Sequence, residues 1–368
     1  MCAIVFSLFS LAWLYWFQAD VICVIQHVLS HGHTHHSRFW AAVLITIVLL
    51  FVQVVVVRII RLDHRAHALT YLPSFMLMAL IGNTDVWIGN VSFSLWFWLH
   101  IVVDILIWLL FVWIVRKVMP YESRKETSHM FSRRVWANML VMVIMMMTVA
   151  LYSNTNAVAH FRAAAEVAMM KGDVDKALRV GDESHETDVH LTMLRAWALA
   201  KKNELGERLF QYPIVGRGTD LLPFMDSQSR LQLLSVTDFY DALGARPVGT
   251  TTQRRYFQLL EKEAKATPLV ADYKLCALLV DRKLAAFASL LPQYYELNES
   301  LPKHYREALV LYKHQSSNPV VIYNHAVTDE DWHNYRQLVK NVGNYNERKE
   351  LAHDRYQGSY WYYFFYNK

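Results

Sequence analysis

The sequence predicts an all-α protein in two parts: a five-helix transmembrane domain over residues 1–153, then a soluble domain of repeated helical hairpins over residues 154–368. Three observations carry this reading. Apolar runs close to bilayer-spanning length alternate with short connectors as far as Tyr152. Lys and Arg are sorted among those connectors rather than scattered. From Asn154 onward polar residues interrupt every apolar run, and apolar positions recur at three- and four-residue spacing.

The first apolar stretch, about 3–28, is clean from Ala3 to Phe17 and then carries Gln18, Asp20 and Gln26. It has no basic region before Ala3 and no small-residue cleavage pattern after it, so it reads as a retained anchor rather than a cleaved signal. Asp20, near its boundary, is expected to snorkel toward the interface. The run 39–57 contains only Gln53 as a strongly polar residue, 91–115 holds His100 and Asp104, and 135–152 holds Asn138. Each approaches the ~20 residues needed to cross ~30 Å of hydrocarbon.

Leu69–Ile81 is shorter, and Gly82, Asn83 and Asp85 follow it closely. The charges decide its role. The connector after Val57 carries Arg58, Arg61 and Arg65, and the one after Val115 carries Arg116, Lys117, Arg124, Lys125, Arg133 and Arg134. Both face the cytoplasm only if an even number of spans separates them, which requires a crossing over about 69–87. The connector 83–90 has no Lys or Arg and 30–38 has only Arg38, in agreement. The expected topology has a cytoplasmic N-terminus and the second domain outside.

The formal net charge of +5 is accounted for largely by those two connectors, so it is no nucleic-acid footprint. Cys276 is the sole cysteine of the second domain, with Cys2 and Cys23 in the first apolar stretch, so no disulfide can form within that domain.

Phe161, Ala164, Ala165 and Ala168 give one helix face of small residues with an aromatic knob; Gly172 then ends a helix and Asp173 caps the next, which contains Ala177 and Leu178. The rhythm returns over Leu191–Phe210 through Ala196, Ala198 and Leu209, with Lys202 in place of the turn glycine and Glu207 or Arg208 near the expected alanine. It returns again over Leu275–Leu291 through Ala277, Leu278, Leu284 and Phe287.

The phrase Gly172-Asp173-Val174-Asp175-Lys176-Ala177-Leu178 resembles the turn and second-helix start of a tetratricopeptide repeat. Phe161, Ala165 and Ala168 fall at that family's first-helix packing positions. The resemblance implies a TPR-like α-solenoid, here degenerate, whose stacked hairpins offer a concave surface for a protein partner. The whole layout resembles an uncharacterised bacterial family of multi-span membrane proteins with such a tail. That implies a bacterial inner membrane and a periplasmic second domain, and it brings no activity with it.

Several constellations could carry chemistry. His27, His31, His33, His35 and His36 cluster where the first span emerges, and His27 and His31 lie one turn apart if the helix continues, a spacing that suits a shared metal ion. A solvated connector is the commoner meaning of such a loop. His100 and Asp104 are one turn apart within a span, where ionisable groups raise a proton or ion path, against a plain packing role. Met139, Met142, Met145, Met146 and Met147 crowd the last span, more as adaptable filler than as a soft-metal path. Asp182, Glu183, His185, Glu186 and Asp188 read as an exposed connector, and Thr328 with Asp331 as a helix start. Tyr360–Tyr366, seven aromatic residues in succession, must dock, preferably on the domain's own surface.

No phosphate loop, zinc-cysteine pair, nucleophile elbow or HExxH helix is present in the sequence, so no enzyme class and no cofactor is indicated. The expected function is a membrane-anchored scaffold presenting its helical domain to a protein partner. The alternative is a small transport or ion-conducting module using His100 and Asp104.

Overall fold

The structure is a computed structural model of the chain and describes residues 1–82, 85–87, 90–92, 95–118, 133–247, 249, 251–340 and 342–367. It is all-α apart from one short hairpin. Contacts divide it into two compact units, Met1–Ala163 and Ala164–Lys368. The division falls inside a helix rather than at the 153/154 junction where the composition changes.

In the first unit α1 (Cys2–Ala12) runs into a π-helical turn (Trp13–Phe17), followed by α2 (Ala19–Leu29) and α3 (Arg38–Ile60). A 3₁₀ stretch (His64–Tyr71) leads into α4 (Leu72–Gly82); β1 (Asp85–Trp87) and β2 (Asn90–Ser92) pair antiparallel. Then come α5 (Leu95–Val118), α6 (Arg133–Tyr152) and α7 (Ala157–Met170), which carries the division between the units.

Among the described residues three helices are long and apolar enough to cross a membrane, over Arg38–Ile60, Trp98–Val118 and Val135–Tyr152. The opening stretch, expected as a span over 3–28, meets the same test as a bent pair of helices. It bends by 75° between Cys2–Phe17 and Ala19–Leu29, at a π-turn in which the Gln18 N–H reaches the Trp13 carbonyl at 3.0 Å. An extra residue in the turn shifts the hydrogen-bond ladder and breaks the axis.

The expected crossing at 69–87 is corrected as well. The apolar helix there covers only Ala66–Gly82, and Asp85–Trp87 pairs with Asn90–Ser92 instead of continuing it. Gly82 is a weak helix former whose carbonyl accepts the Asn154 N–H at 3.1 Å, and a Cβ at that position would lie 2.7 Å from Ser153 Oγ. The next helix accordingly begins at Leu95, not Val91. The basic residues Arg124 and Lys125 lie outside the described residues.

Each long helix shows the same division of faces. On α3 the buried stripe is Ala42, Thr46, Leu49 and Gln53, and on α6 it is Asn138, Met142, Met145 and Val149, both at four- and three-residue steps. Leu44, Ile47, Val48 and Phe51 on α3, and Leu140, Val143, Ile144 and Met147 on α6, are exposed. An apolar outer face belongs in hydrocarbon. Phe6, Leu49, Phe75, Met78, Met142 and Met145 share one core, so Met142 and Met145 of α6 act in packing.

The 3₁₀ stretch has backbone groups that its own turns do not satisfy, and the neighbouring helices supply partners. Asn138 Oδ1 accepts the Ala68 N–H at 2.7 Å while its Nδ2 donates to the His64 carbonyl at 3.1 Å. Gln53 Nε2 donates to Thr70 Oγ1 at 3.2 Å, and Trp108 Nε1 donates to the Leu69 carbonyl at 2.9 Å. Irregular backbone is tolerated in an apolar layer when protein groups replace water in this way.

The second unit continues with α8 (Val174–Arg179), α9 (Val189–Lys201), α10 (Leu205–Arg208), α11 (Val236–Leu243), α12 (Gln253–Lys262), α13 (Pro268–Val280), α14 (Leu284–Leu290), α15 (Lys303–Gln315), α16 (Ala326–Lys340), α17 (Tyr345–Tyr356) and α18 (Tyr360–Tyr366). Its core is continuous, from Ala168 and Ala177 through Trp197, Tyr273, Phe287 and Tyr305 to Trp361. Helix α9 is buried on every side from His190 to Ala200, so the other elements wrap it.

One turn recurs through this unit. At Gly172 the chain enters the left-handed region (φ 78°), Gly172 N–H bonds the Met169 carbonyl, and Asp173 N–H bonds the Ala168 carbonyl. The same paired bonds close α9 at Asn203 (φ 57°), α12 at Ala264 (φ 52°) and α13 at Arg282 (φ 57°). The residue taking the left-handed conformation in the second hairpin is therefore Asn203 and not Lys202.

Candidate functional site

The residues singled out in the sequence fall into separate places. The five histidines of the first connector are not brought together, and among the described residues no group of three or more His, Cys, Asp or Glu side chains gathers around a point. His31 ends α2 in the left-handed region, a Cβ on Gly32 would touch the His27 ring at 3.2 Å, and His36 Nδ1 pairs with Gln26 Oε1 at 2.8 Å. His33 and His35 are exposed. Asp20 does not simply snorkel: it forms an ion pair with Arg38 at the start of α3.

His100 and Asp104 lie on α5, whose inward positions are Ile101, Asp104, Trp108 and Val112. Asp104 stands close enough to Tyr152, at the end of α6, to interact with its hydroxyl, and the His100 ring centroid is 6.1 Å from that of Tyr152. Asp104 also lines a cavity of about 420 Å³ bounded by Phe75, Trp108, Phe111, Val141 and Tyr152. The partner that matters most, Tyr152, is missed by sequence reasoning because it is the last residue of another span; its only signal is a phenol at the end of an apolar run.

In the second unit the hairpin residues take packing roles. Ala165, Ala168 and Ala177 are buried, and Asp173 caps α8 by accepting the Lys176 N–H at 3.0 Å. Phe161 is half-buried and belongs to the first unit. In the second hairpin the close packing is made at Gly206, where a Cβ would lie 2.6 Å from the Tyr305 ring. Neither Glu207 nor Arg208 takes that place. Asp188 caps α9 through the Leu191 N–H at 2.7 Å, and α16 starts at Ala326 with His325 Nδ1 accepting the Thr328 N–H at 3.2 Å.

The aromatic run forms α18. Tyr360 and Trp361 are wholly buried, and the Tyr360 and Tyr363 hydroxyls donate to the Leu279 and Val280 carbonyls at 3.2 and 2.8 Å. Both carbonyls belong to the last turn of α13, where that of Leu279 also accepts the Arg282 N–H at 3.0 Å.

Two buried polar clusters stand near it. Asp272 Oδ1 accepts from Tyr295 at 2.6 Å and from Tyr305 at 2.9 Å, and burial pushes its carboxyl up from the ordinary range. Cys276 lies beside Tyr305, fully buried, and burial pushes its thiol well up, so it is held as an inert thiol and not a nucleophile. In the other cluster His304 Nε2 accepts the Phe210 N–H at 3.3 Å and Nδ1 donates to Glu307 at 3.0 Å, which fixes the neutral tautomer.

The surface feature of this unit is a groove of about 340 Å³ assembled from four chain segments, with His185, Tyr212, Lys349, His353, Gln357 and Tyr362 on its walls. The His185 and His353 rings meet edge to face at 4.9 Å, His353 and Tyr362 at 5.7 Å, and the buried Arg195 guanidinium lies 5.1 Å from the Tyr212 ring centre. Among the described residues, aromatic faces, amide and imidazole groups and one ammonium line it, with no carboxylate. Such a wall suits a peptide that offers an aromatic or aliphatic side chain and an acidic group.

Comparison with known proteins adds one finding. Residues 246–367 are similar to a family of unknown function, DUF6057. The matched segment runs from just before α12 to the end of α18 and supplies Lys349, His353, Gln357 and Tyr362 of the groove. No curated protein matches the chain. No solved structure matches it.

Proposed function

We propose that this chain is a membrane-anchored scaffold whose second unit, a TPR-like array of degenerate helical hairpins, recruits a protein partner outside the cytoplasm. The groove between His185, Tyr212, Lys349 and His353 is the observation that carries this reading. Three helices of spanning length and composition support the anchor. The left-handed turns at Gly172, Asn203 and Arg282, each followed two residues later by a short helix, support the hairpin array. The sorting of Arg58, Arg61, Arg116 and Lys117 supports a cytoplasmic N-terminus and a periplasmic second unit in a bacterial inner membrane. No nucleic acid and no cofactor enters the proposal.

The test is a photo-crosslinking side chain placed at Gln357 in the full chain in intact cells. A discrete adduct that disappears with Tyr212→Ala and with Lys349→Glu supports the reading; an adduct indifferent to both, or a C-terminal reporter active only in the cytoplasm, overturns it.

A second reading, a small transport or ion-conducting module using His100 and Asp104, draws on the contact between Asp104 and Tyr152 at a cavity wall. Asp104→Asn separates the two, since it abolishes flux under this reading and leaves recruitment unchanged under the first.

A further inference from the structure

The cavity of about 420 Å³ in the first unit has a polar end and an apolar body. Asp104 and Tyr152 form the polar end. The Thr148 hydroxyl, one turn below, is turned to its own helix and donates to the Met145 carbonyl at 2.7 Å. Phe75, Trp108, Phe111 and Val141 line the body. Tyr152 is the last residue of α6, and Val141 lies about 16 Å back along that helix at 1.5 Å per residue. The polar end therefore sits at the end of a span and the apolar body runs inward from it.

A volume of a few hundred Å³, mostly apolar with one or two placed polar groups, is the usual form of a small-molecule site. An ionised carboxylate accepts hydrogen bonds and donates none, and Asp104 faces the cavity beside the Tyr152 hydroxyl. Among the described residues none that lines the cavity is Lys or Arg, so these offer Asp104 no positive countercharge. We propose that this cavity binds an amphiphilic amine from the membrane, its ammonium against Asp104 and its hydrocarbon chain between Trp108, Phe111 and Val141. The site needs neither flux nor the partner of the second unit.

The experiment uses the full chain in nanodiscs of zwitterionic lipid and three amphiphiles with the same twelve-carbon brominated chain: an alkylammonium, an alkyl sulfate and an alcohol. Quenching of Trp108 is isolated as the difference from Trp108→Phe. The expected result is saturable quenching by the ammonium at least about tenfold tighter than by the other two, and a loss of about tenfold or more in Asp104→Asn. Ala79→Leu, which adds bulk at the buried cavity wall and leaves Asp104 in place, is expected to abolish the signal. Equal quenching by the three heads, or unchanged ammonium binding in Asp104→Asn, overturns the proposal. Should Asp104→Asn lose its helical circular dichroism, Asp104→Glu decides: it keeps the preference for ammonium if the proposal holds and lacks it otherwise.

Discussion

Glu307 holds Tyr360 in place: its carboxylate accepts the Tyr360 backbone N–H at 2.7 Å, and its own carbonyl accepts the Trp361 indole N–H at 2.8 Å. One residue of α15 thus fixes the start of α18, and the same carboxylate orients His304. Glu307→Ala leaves a buried N–H and a buried imidazole N–H without acceptors. A loss of about 2–3 kcal/mol in unfolding free energy is expected for the second unit, read by chemical denaturation, with exposed Glu296→Ala as a control near zero.

Asp272 gives this unit a pH dependence. Burial raises its carboxyl above the ordinary value of 3.8, so the native state holds the proton more tightly than the unfolded chain. Its contribution to stability is full below 3.8 and is lost as pH rises through the higher native value. Asp272→Asn keeps an acceptor for Tyr295 and Tyr305 but cannot ionise. The difference in melting temperature, variant minus wild type, is expected to grow more positive as pH rises through that window, and a flat difference would refute the assignment.

Two glycines are needed for different reasons, and alanine separates them. A Cβ on Gly218 would lie 2.3 Å from the Ala277 carbonyl oxygen, which is backbone and cannot swing aside. At Gly172 a Cβ meets nothing within 4 Å, and only the left-handed conformation resists it. Gly218→Ala is expected to cost about 3 kcal/mol and Gly172→Ala about 1 kcal/mol, measured by thermal unfolding.

Cys276 supplies a kinetic test. Its thiol is enclosed beside Tyr305 and pushed far above its ordinary range by burial. Under native conditions it is expected to resist maleimide for as long as the unit stays folded. Labelling, followed by mass spectrometry, should appear together with loss of helical signal in denaturant.

Much of the architecture was legible in the sequence. The runs over 39–57 and 135–152 met the length and composition that a crossing requires, and helices of that kind occupy them. The failures have local causes. The π-turn at Gln18 has no composition signature, since one added residue in a turn alters no apolar pattern. Charge sorting across 69–87 constrains sidedness and says nothing about the local hydrogen bonding at Gly82, where the short helix ends.

In the second unit Gly172 announced its turn and Asn203 is a residue that favours the left-handed region, whereas Arg282 adopts the same conformation with a side chain that does not advertise it. Tertiary packing selects those turns, as with Gly206 against Tyr305. The groove around His185, Tyr212 and His353 joins segments far apart in the chain, a pairing no local pattern can announce. Asp104 was visible as a carboxylate in an apolar run, while its place beside Tyr152 at one cavity depends on how two helices lie side by side.

The buried carboxylate of Glu166 accepts the backbone N–H groups of Gln232, Leu233 and Leu234, at 2.7, 2.8 and 3.2 Å. A single acid thus does for an irregular segment what a neighbouring strand would do in a sheet. Its replacement by Ala would strip those amides of their acceptor, and faster trypsin cleavage of the adjoining peptide bond after Arg230 is expected, so part of this segment's protection comes from a side chain over sixty positions upstream.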